Sequence, residues 1–133
     1  MSVFEWPIRV YYEDTDAGGV VFYANYLKFF ERARTEMLRY SGFEQDQLII
    51  EHQLIFVVRS VQIDYLKSAR FNDSLIVSTK IAMAKKVSLN FEQVITRNED
   101  VVCKGDIRIA SLDVNSMRPK IIPDFILEKL TND

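Results

Sequence analysis

The sequence predicts an α+β fold in which a five-stranded antiparallel sheet covers one long helix. Three observations point to this architecture. A short strand-like segment opens the chain, one long amphipathic segment follows, and four strand-like segments then come in succession. Consecutive strands joined by short turns pair antiparallel, so the later segments are expected to form one sheet against the helix.

Apolar residues occupy every second position of residues 4–10, which is the period of a strand. Pro7 lies inside this segment and has no N–H to donate to a neighbouring strand. The first strand is therefore predicted at an edge of the sheet, or paired on one side at that point. An acid-rich loop follows at residues 13–20.

The long amphipathic segment begins at Tyr23 or Asn25 and ends at Tyr40. Its apolar residues recur at spacings of three and four, which predicts a helix that forms the centre of the core. Asn25 is predicted to cap the start of this helix, and Gly42 fits just beyond its end. The apolar stripe consists of Phe22, Tyr26, Phe29, Phe30, Ala33, Met37 and Tyr40.

A short second helix is predicted at residues 45–51, and a terminal helix at residues 123–130 with Pro123 in its first turn. The polar residues 98–100 are typical of a hairpin turn. Apolar and polar residues alternate in four predicted strands, at residues 55–65, 75–84, 87–96 and 101–114.

The composition excludes several classes of protein. The 133 residues suit one domain, and 48% hydrophobic with 27% charged residues is ordinary for a soluble globular protein. A net charge of −2 gives no general attraction to nucleic acid or an anionic membrane. There is no signal-peptide pattern and no run of about 18 apolar residues, so a cytoplasmic protein is expected.

Two single residues restrict the chemistry further. His52 is the one histidine, which excludes a histidine-rich metal site and allows a Ser-His-Asp triad only if His52 supplies the base. Cys103 is the one cysteine, so the chain has no internal disulfide, and this fits a reducing compartment. Cys103 is interpreted as a packing residue, and His52 as a surface or packing residue.

The acid-rich loop leads directly into the long helix, and this arrangement suits acyl transfer or hydrolysis. Glu13, Asp14 and Asp16 precede Gly18 and Gly19, and the helix start follows within a few residues. A helix N-terminus has free N–H groups that can polarise a carbonyl, and a nearby carboxylate can act as nucleophile or general base. On this evidence alone, an acid that only shapes an Asx-turn is the favoured interpretation of Asp16.

Similarity over a longer part of the sequence favours the catalytic interpretation of this loop. The segment VYYEDTDAGGVVFYANYLKFFERARTEMLR, with FVVRSVQIDYLKSARFNDSL and SMRPKIIP, resembles the hot dog-fold acyl-CoA thioesterases of the 4-hydroxybenzoyl-CoA thioesterase family. It is most similar to the bacterial tol-pal-associated branch. The resemblance implies a sheet curved around the helix and a homodimer, often assembled into tetramers, with active sites at the dimer interface. It also implies hydrolysis of acyl-CoA to a carboxylic acid and free CoA, without a metal or redox cofactor.

The same resemblance implies roles for individual residues. Asp16 is implied to act as nucleophile or general base, and the backbone N–H of Tyr23 to polarise the thioester carbonyl. Gly18 and Gly19 are implied to let the backbone turn close to the substrate.

Further residues are expected to contact the substrate. Phe22 or Tyr26 is expected to reach the acyl pocket, while the other aromatic residues of the helix lie in the core. Lys85 and Lys86 are implied to contact the phosphates of coenzyme A, although the third basic position of that cluster is Val87 here. A solvated turn explains these two lysines equally well.

Two positions depart from the closest branch. Tyr23 stands where that branch commonly has histidine, which removes a possible second acid-base group. Substrate preference and pH dependence therefore do not carry over from the branch. Ser68 stands where proline is usual, and only a local effect on the loop is expected.

Glu31 is a second candidate acid, but the favoured interpretation is a helix residue that is solvated or paired with Arg34, three residues on. Two other functions stay open. One is a weakly active or inactive protein that binds acyl-CoA or acyl carrier protein as a scaffold. The other is a dehydratase, which ranks last because that chemistry uses a histidine with an acid, and His52 lies outside the helix-start segment.

Overall fold

A computed structural model describes residues 2–131. It contains five strands, three α-helices and two short 3-10 turns. In chain order these are β1 (Phe4–Arg9), 3-10 turns at Tyr12–Asp14 and Tyr23–Asn25, α1 (Tyr26–Tyr40), α2 (Gln45–His52), β2 (Leu54–Tyr65), β3 (Ser74–Ala84), β4 (Ser88–Arg97), β5 (Asp100–Asp113) and α3 (Asp124–Thr131). No helix in this range is long and apolar enough to span a membrane.

The strands form one antiparallel sheet in the order β1-β3-β4-β5-β2, which confirms the predicted α+β architecture. β1 lies at one edge, as Pro7 predicted, and β2 lies at the other edge. β2 pairs with β5 along its whole length, and its register shifts between Val58 and Ser60, so Arg59 is an extra residue in the edge strand.

The helix α1 packs its apolar stripe against the inner face of this sheet. Phe29, Phe30 and Ala33 are fully buried. A Cβ atom on Gly105 of β5 would lie 2.8 Å from Cε2 of the Phe30 ring, so glycine at this position lets the ring rest directly on the strand. The predicted central helix is confirmed, although Phe22 and Tyr40 at the two ends of the stripe are exposed.

The two predictions for the helix ends had different outcomes. The prediction that Asn25 caps the helix is wrong, because Asn25 already has helical dihedral angles after the 3-10 turn, whereas a capping residue is extended. Gly42 does end the helix: its φ is +97°, its N–H donates to Arg39 O (3.0 Å), and the Phe43 N–H donates to Leu38 O (2.9 Å). These two bonds form a Schellman motif.

Candidate active site

The acid-rich loop folds as a small hairpin. Thr15 and Val21 form an isolated antiparallel bridge, the Asp16 N–H donates to Val20 O at 2.9 Å, and the Gly19 N–H donates to Asp16 O at 3.0 Å. Gly19 has a φ of +79°, in the left-handed region that favours glycine. The hairpin therefore presents Asp16 near an exposed tip.

The Asp16 carboxylate has one engaged and one open oxygen. Its Oδ1 accepts the Gly18 N–H at 2.8 Å, which is an Asx-turn contact. Oδ2 accepts no hydrogen bond from any residue in the range 2–131, and the side chain is exposed. A Cβ on Gly18 would lie 3.2 Å from Oδ1, so glycine leaves room for the turn. The turn therefore orients the carboxylate and leaves an oxygen free to react.

Asp14 joins the hairpin to the start of α1. It is 5% exposed, its Oδ2 accepts the Tyr11 N–H at 2.8 Å, and its Oδ1 accepts Nδ2 of Asn25 at 2.8 Å. The Phe22 N–H donates to the Asp14 backbone oxygen at 3.0 Å. These bonds agree with the structural role expected for Asp14, and they direct the Asn25 side chain toward Asp14.

Tyr23 opens the 3-10 turn that leads into α1. Its backbone N–H has no hydrogen-bond acceptor among the residues that the structure describes. This N–H lies at the positive end of the helix dipole, where a partial negative charge is stabilised. The geometry suits polarisation of a carbonyl oxygen.

Aromatic side chains line the surface beside this helix start. The Phe22 and Tyr23 ring centroids are 4.9 Å apart, and Tyr23 meets Tyr65 of β2 edge-on at 6.1 Å. These three exposed residues form an aromatic wall. Tyr26 is buried behind it, 5.7 Å from Tyr65, and its hydroxyl accepts the Ala69 N–H at 3.0 Å. Phe22 is thus exposed on the wall, whereas Tyr26 supports the wall from the core; contact of either residue with a substrate stays a prediction.

The segment 66–73 supports the hairpin through backbone hydrogen bonds to Val20 and Val21. Val20 bridges to Arg70, and the Val21 N–H donates to Ala69 O at 2.8 Å. Asp73 holds this segment in place, because its Oδ2 accepts both the Arg70 N–H and Nη1 of Arg97, each at 2.8 Å. Burial works to raise the pKa of Asp73, but these hydrogen bonds outweigh it and hold the pKa below its ordinary value.

Cys103 and His52 have the surroundings of packing residues. Burial, with a smaller contribution from the Asp64 charge, raises the pKa of Cys103 to about 12, so its thiol is neutral at physiological pH. The His52 ring packs against Phe125 with centroids 5.3 Å apart, at the end of α2.

A buried polar network in the core was missed by the sequence reasoning. Arg34 is 9% exposed, and its Nη1 donates to Oε1 of Gln93 at 2.9 Å. Nε2 of Gln93 donates to Phe30 O and to Oγ1 of Thr79, both at 2.9 Å. Polar residues at inward positions of β3 and β4 were the available signal, since Gln93 lies between two buried apolar residues of its strand.

Of the two roles expected for Glu31, solvated or paired with Arg34, the structure confirms the first. Oε2 of Glu31 accepts Oγ1–H of Thr35 at 3.2 Å, and no ion pair joins Glu31 to Arg34 in residues 2–131. The physical reason is that Arg34 turns inward to Gln93, whereas Glu31 stays exposed. Burial lowers the pKa of Arg34 to about 10, with the Glu31 charge acting in the opposite direction.

Lys85 and Lys86 are exposed in the turn between β3 and β4. This turn lies at the end of β3 opposite to the Asp16 hairpin, because Arg70, which bridges to Val20, precedes the start of β3. Eleven residues of strand span about 35 Å. One protomer therefore does not bring these lysines to Asp16, and their contact with phosphate stays a prediction.

Comparison with known proteins places these features in a family. The model of the thioesterase-like superfamily matches residues 10–130. Acyl-CoA thioesterase YbgC of Haemophilus influenzae is 48% identical over 120 residues, which cover 90% of this chain and 88% of that protein. Acyl-CoA thioester hydrolase YbgC of Escherichia coli O6:H1 is 42% identical over 127 residues, or 95% and 94% of the two chains.

A solved structure is similar to this chain in both sequence and fold. The probable thioesterase from Bartonella henselae is 33% identical and superposes with a TM-score of 0.88, covering 92% of this chain and all of that one.

The support of the hairpin by Asp73 can be tested through pH. A carboxylate with a lowered pKa contributes stability above its unfolded-state pKa of about 4, and this contribution is lost as the pH falls through the folded-state value. Asp73→Asn is expected to lower the free energy of unfolding by about 1–2 kcal/mol at neutral pH, and by progressively less below about pH 4. Urea unfolding at a series of pH values measures this difference.

Asp100→Asn is the matched control, because the Lys67–Asp100 ion pair is exposed and should contribute little. A pH-independent difference between Asp73→Asn and the unaltered protein would contradict the role given to the Asp73 charge.

Proposed function

The chain belongs to the thioesterase-like superfamily, and we propose that it hydrolyses acyl-CoA thioesters through Asp16 and the backbone N–H of Tyr23. One observation carries the proposal. A carboxylate with an open oxygen and an N–H without an acceptor belong to a single hairpin-and-helix unit, which the buried Asp14–Asn25 hydrogen bond holds together. The names of the two YbgC relatives give the substrate class.

The reaction follows from these groups. The thioester carbonyl oxygen accepts the Tyr23 N–H, which stabilises the negative charge that develops there. Asp16 either attacks the carbonyl carbon, giving an anhydride that water then hydrolyses, or removes a proton from an attacking water. Both routes release a carboxylic acid and the CoA thiol.

The attack and the polarisation are supplied by protein groups and water, so the proposed reaction uses no metal or redox cofactor. An acyl-CoA substrate and a single neutral cysteine both fit the cytoplasm.

The working unit is proposed to be a homodimer joined through β2. This strand has 12 residues and lies at the edge of the sheet, with exposed apolar residues that include Val58, Val61 and Tyr65. A long apolar edge strand offers unpaired backbone groups to a second copy. Two copies of one strand paired antiparallel are related by a two-fold axis, which gives a closed dimer. Two such dimers would form the tetramer that the resemblance implies.

This dimer would bring basic side chains near Asp16, which one protomer does not do by itself. Tyr65 and Leu54 are the two ends of β2. The Tyr65 end of β2 forms part of the aromatic wall. The Leu54 end lies at the same end of the sheet as the Lys85–Lys86 turn. Antiparallel pairing sets Tyr65 of one copy near Leu54 of the other. Lys85 and Lys86 of the partner subunit would then approach Asp16, where they could contact the phosphates of coenzyme A.

A second candidate function is the binding of acyl-CoA or acyl carrier protein with little turnover. The observation that favours it is Tyr23, whose exposed phenol replaces the imidazole common in the branch that this chain resembles and so removes a possible second acid-base group. The kinetic experiment below separates the two functions.

Asp16→Asn is expected to keep the fold and to lower kcat by roughly 10²- to 10⁴-fold, because it removes the attacking or proton-accepting oxygen. Release of CoA thiol is measured across short, long, branched and aromatic acyl-CoA esters. Glu13→Gln, at a neighbouring exposed acid, is the control and should retain turnover. Near-normal kcat/KM for Asp16→Asn on the preferred ester would refute the mechanism, and no turnover of any ester by the unaltered protein would favour the binding function.

The double variant Lys85→Ala, Lys86→Ala is expected to raise KM for acyl-CoA about 3- to 30-fold with a smaller effect on kcat, because two surface contacts to phosphate are lost. Steady-state kinetics with an ester of full CoA and with one of a truncated thiol lacking the nucleotide measure this. Lys104→Ala is the exposed control. If KM is unchanged, these lysines do not contact the substrate.

Val61→Glu is expected to convert the dimer to a monomer, because it places two negative charges close together at the centre of the paired strands. Size-exclusion chromatography with light scattering gives the mass, and kcat/KM is expected to fall about 10-fold or more as the site loses its second half. Lys129→Glu on α3 is the charge-changing control. An active monomer, or a mutant that remains a dimer, would argue against assembly through β2.

A further inference from the structure

The phenol of Tyr26 lies where the start of α1 meets the segment that supports the Asp16 hairpin. Its ring is 3% exposed. The ring meets Phe29 edge-on, with centroids 6.1 Å apart, and lies 5.7 Å from the ring of Tyr65. Because these packed neighbours hold the ring, its hydroxyl has a fixed position. In that position the hydroxyl accepts the Ala69 N–H at 3.0 Å.

Ala69 connects this hydroxyl to the hairpin. The residue is fully buried, and both of its backbone groups are hydrogen-bonded. Its N–H donates to the Tyr26 hydroxyl, and its carbonyl oxygen accepts the Val21 N–H at 2.8 Å. Val21 bridges to Thr15, which directly precedes Asp16 in the chain. A single residue therefore joins the start of the helix to the hairpin.

The other hydrogen bonds of the segment 66–73, apart from those within it and to the hairpin, are made to the sheet or to the residue after β1. These partners are Arg9, Val10, Arg97 and Val102. Among the described residues, the Tyr26 hydroxyl is the one group of α1 that bonds to this segment. Tyr26 thus couples a segment that is fixed on the sheet to the start of the helix.

The two groups of the proposed site lie on the two sides of this junction. The Asp16 carboxylate belongs to the hairpin that rests on the segment 66–73. The Tyr23 N–H opens the 3-10 turn that ends directly before Tyr26. A misplacement of about 1 Å between reacting groups can lower a rate by about 100-fold. The link between the two supports therefore bears directly on the rate.

The Tyr26 hydroxyl has the properties of an acceptor that stays neutral. Burial raises the pKa of Tyr26 above its ordinary value of about 10, and the hydrogen bond from Ala69 acts in the opposite direction with a smaller effect. The hydroxyl is therefore protonated near neutral pH, and its charge does not change there. Its contribution to the reaction is expected in the rate and not in the pH dependence.

We propose that Tyr26 is a positioning residue for thioester hydrolysis, whose hydroxyl, through Ala69, holds the Asp16 carboxylate in place relative to the Tyr23 N–H. The inference rests on the proposed function and adds to it a residue that does not touch the reacting atoms. A side chain that contacts the acyl group changes the affinity for the substrate. A positioning residue instead changes the rate of the chemical step.

Tyr26→Phe keeps the ring and removes the hydroxyl. It is expected to lower kcat about 10- to 100-fold and to leave KM within about twofold, because the reacting groups lose their relative position while the aromatic wall keeps its shape. The pH profile of kcat/KM should keep its midpoints. Tyr40→Phe removes an exposed hydroxyl at the other end of the same helix and should retain kcat. A normal kcat in Tyr26→Phe would overturn the proposal, and a raised KM beside it would indicate contact with the substrate instead.

Removal of the donor tests the same hydrogen bond with Tyr26 intact. Ala69 is replaced by L-lactate, so that an ester oxygen stands in place of the N–H. The expected loss in kcat is again about 10- to 100-fold, and the combination with Tyr26→Phe should cost no more than the larger single loss. Additive losses would mean that the hydroxyl acts by another route and would overturn the proposal. The ester variant decides the question by itself if Tyr26→Phe does not fold.

Amide hydrogen exchange gives a readout that needs no turnover. The N–H groups of Asp16 and Gly19 are bonded inside the hairpin. In Tyr26→Phe they are expected to exchange about 10-fold faster than in the unaltered protein, because the hairpin loses a support, and in Tyr40→Phe they should exchange at the unaltered rate. Unchanged exchange in Tyr26→Phe would overturn the proposal.

These measurements separate the inference from the proposed function. If Asp16→Asn abolishes turnover and Tyr26→Phe does not, the proposed hydrolysis stands and the positioning role is wrong. If the unaltered protein turns over no ester, the proposed hydrolysis is wrong, and the exchange rates alone decide whether Tyr26 holds the hairpin in place.

Discussion

The candidate site depends on the buried carboxylate of Asp14. Its two oxygens join a backbone N–H from the segment after β1 to the Asn25 side chain at the start of the helix. This junction fixes the direction in which the chain enters α1, and with it the orientation of the Tyr23 N–H relative to the Asp16 hairpin. A buried carboxyl group with such partners is costly to disturb, because the loss of either partner leaves one buried oxygen without a hydrogen-bond donor. The protein therefore stabilises its site with a neighbouring acid that has no contact with the reacting atoms in the proposed mechanism.

Much of the fold could be predicted because its signals are local. The spacing of apolar residues in α1, the alternation in the strands, Pro7 in β1 and Gly42 after the helix all depend on neighbours within a few positions. The structure confirms the order and type of these elements. The prediction that Asn25 is a cap failed because a 3-10 turn precedes the helix and gives Asn25 helical dihedral angles, while its side chain donates to Asp14, eleven positions away.

The candidate site was predictable only in part. The position of the Asp16 loop before the helix is visible in the sequence, and so are its glycines. The Arg34–Gln93–Thr79 network is not, because its members come from three elements and meet only when α1 packs on the sheet. Helical spacing suggested Glu31 as the partner of Arg34, yet the core offered Arg34 a buried amide instead. The aromatic wall likewise joins the helix start to β2, some forty residues later.

The buried thiol of Cys103 has a consequence for a protein that handles thioesters. A thiolate can exchange acyl groups with a thioester and can form mixed disulfides with a free thiol such as coenzyme A. Cys103 is the one cysteine of the chain, and it lies in β5 opposite Tyr65, behind the aromatic wall. Its burial and its pKa of about 12 keep the sulfur neutral and out of reach. The protein can therefore bind acyl-CoA repeatedly without acylating its own thiol and can tolerate its own product without forming a disulfide with it.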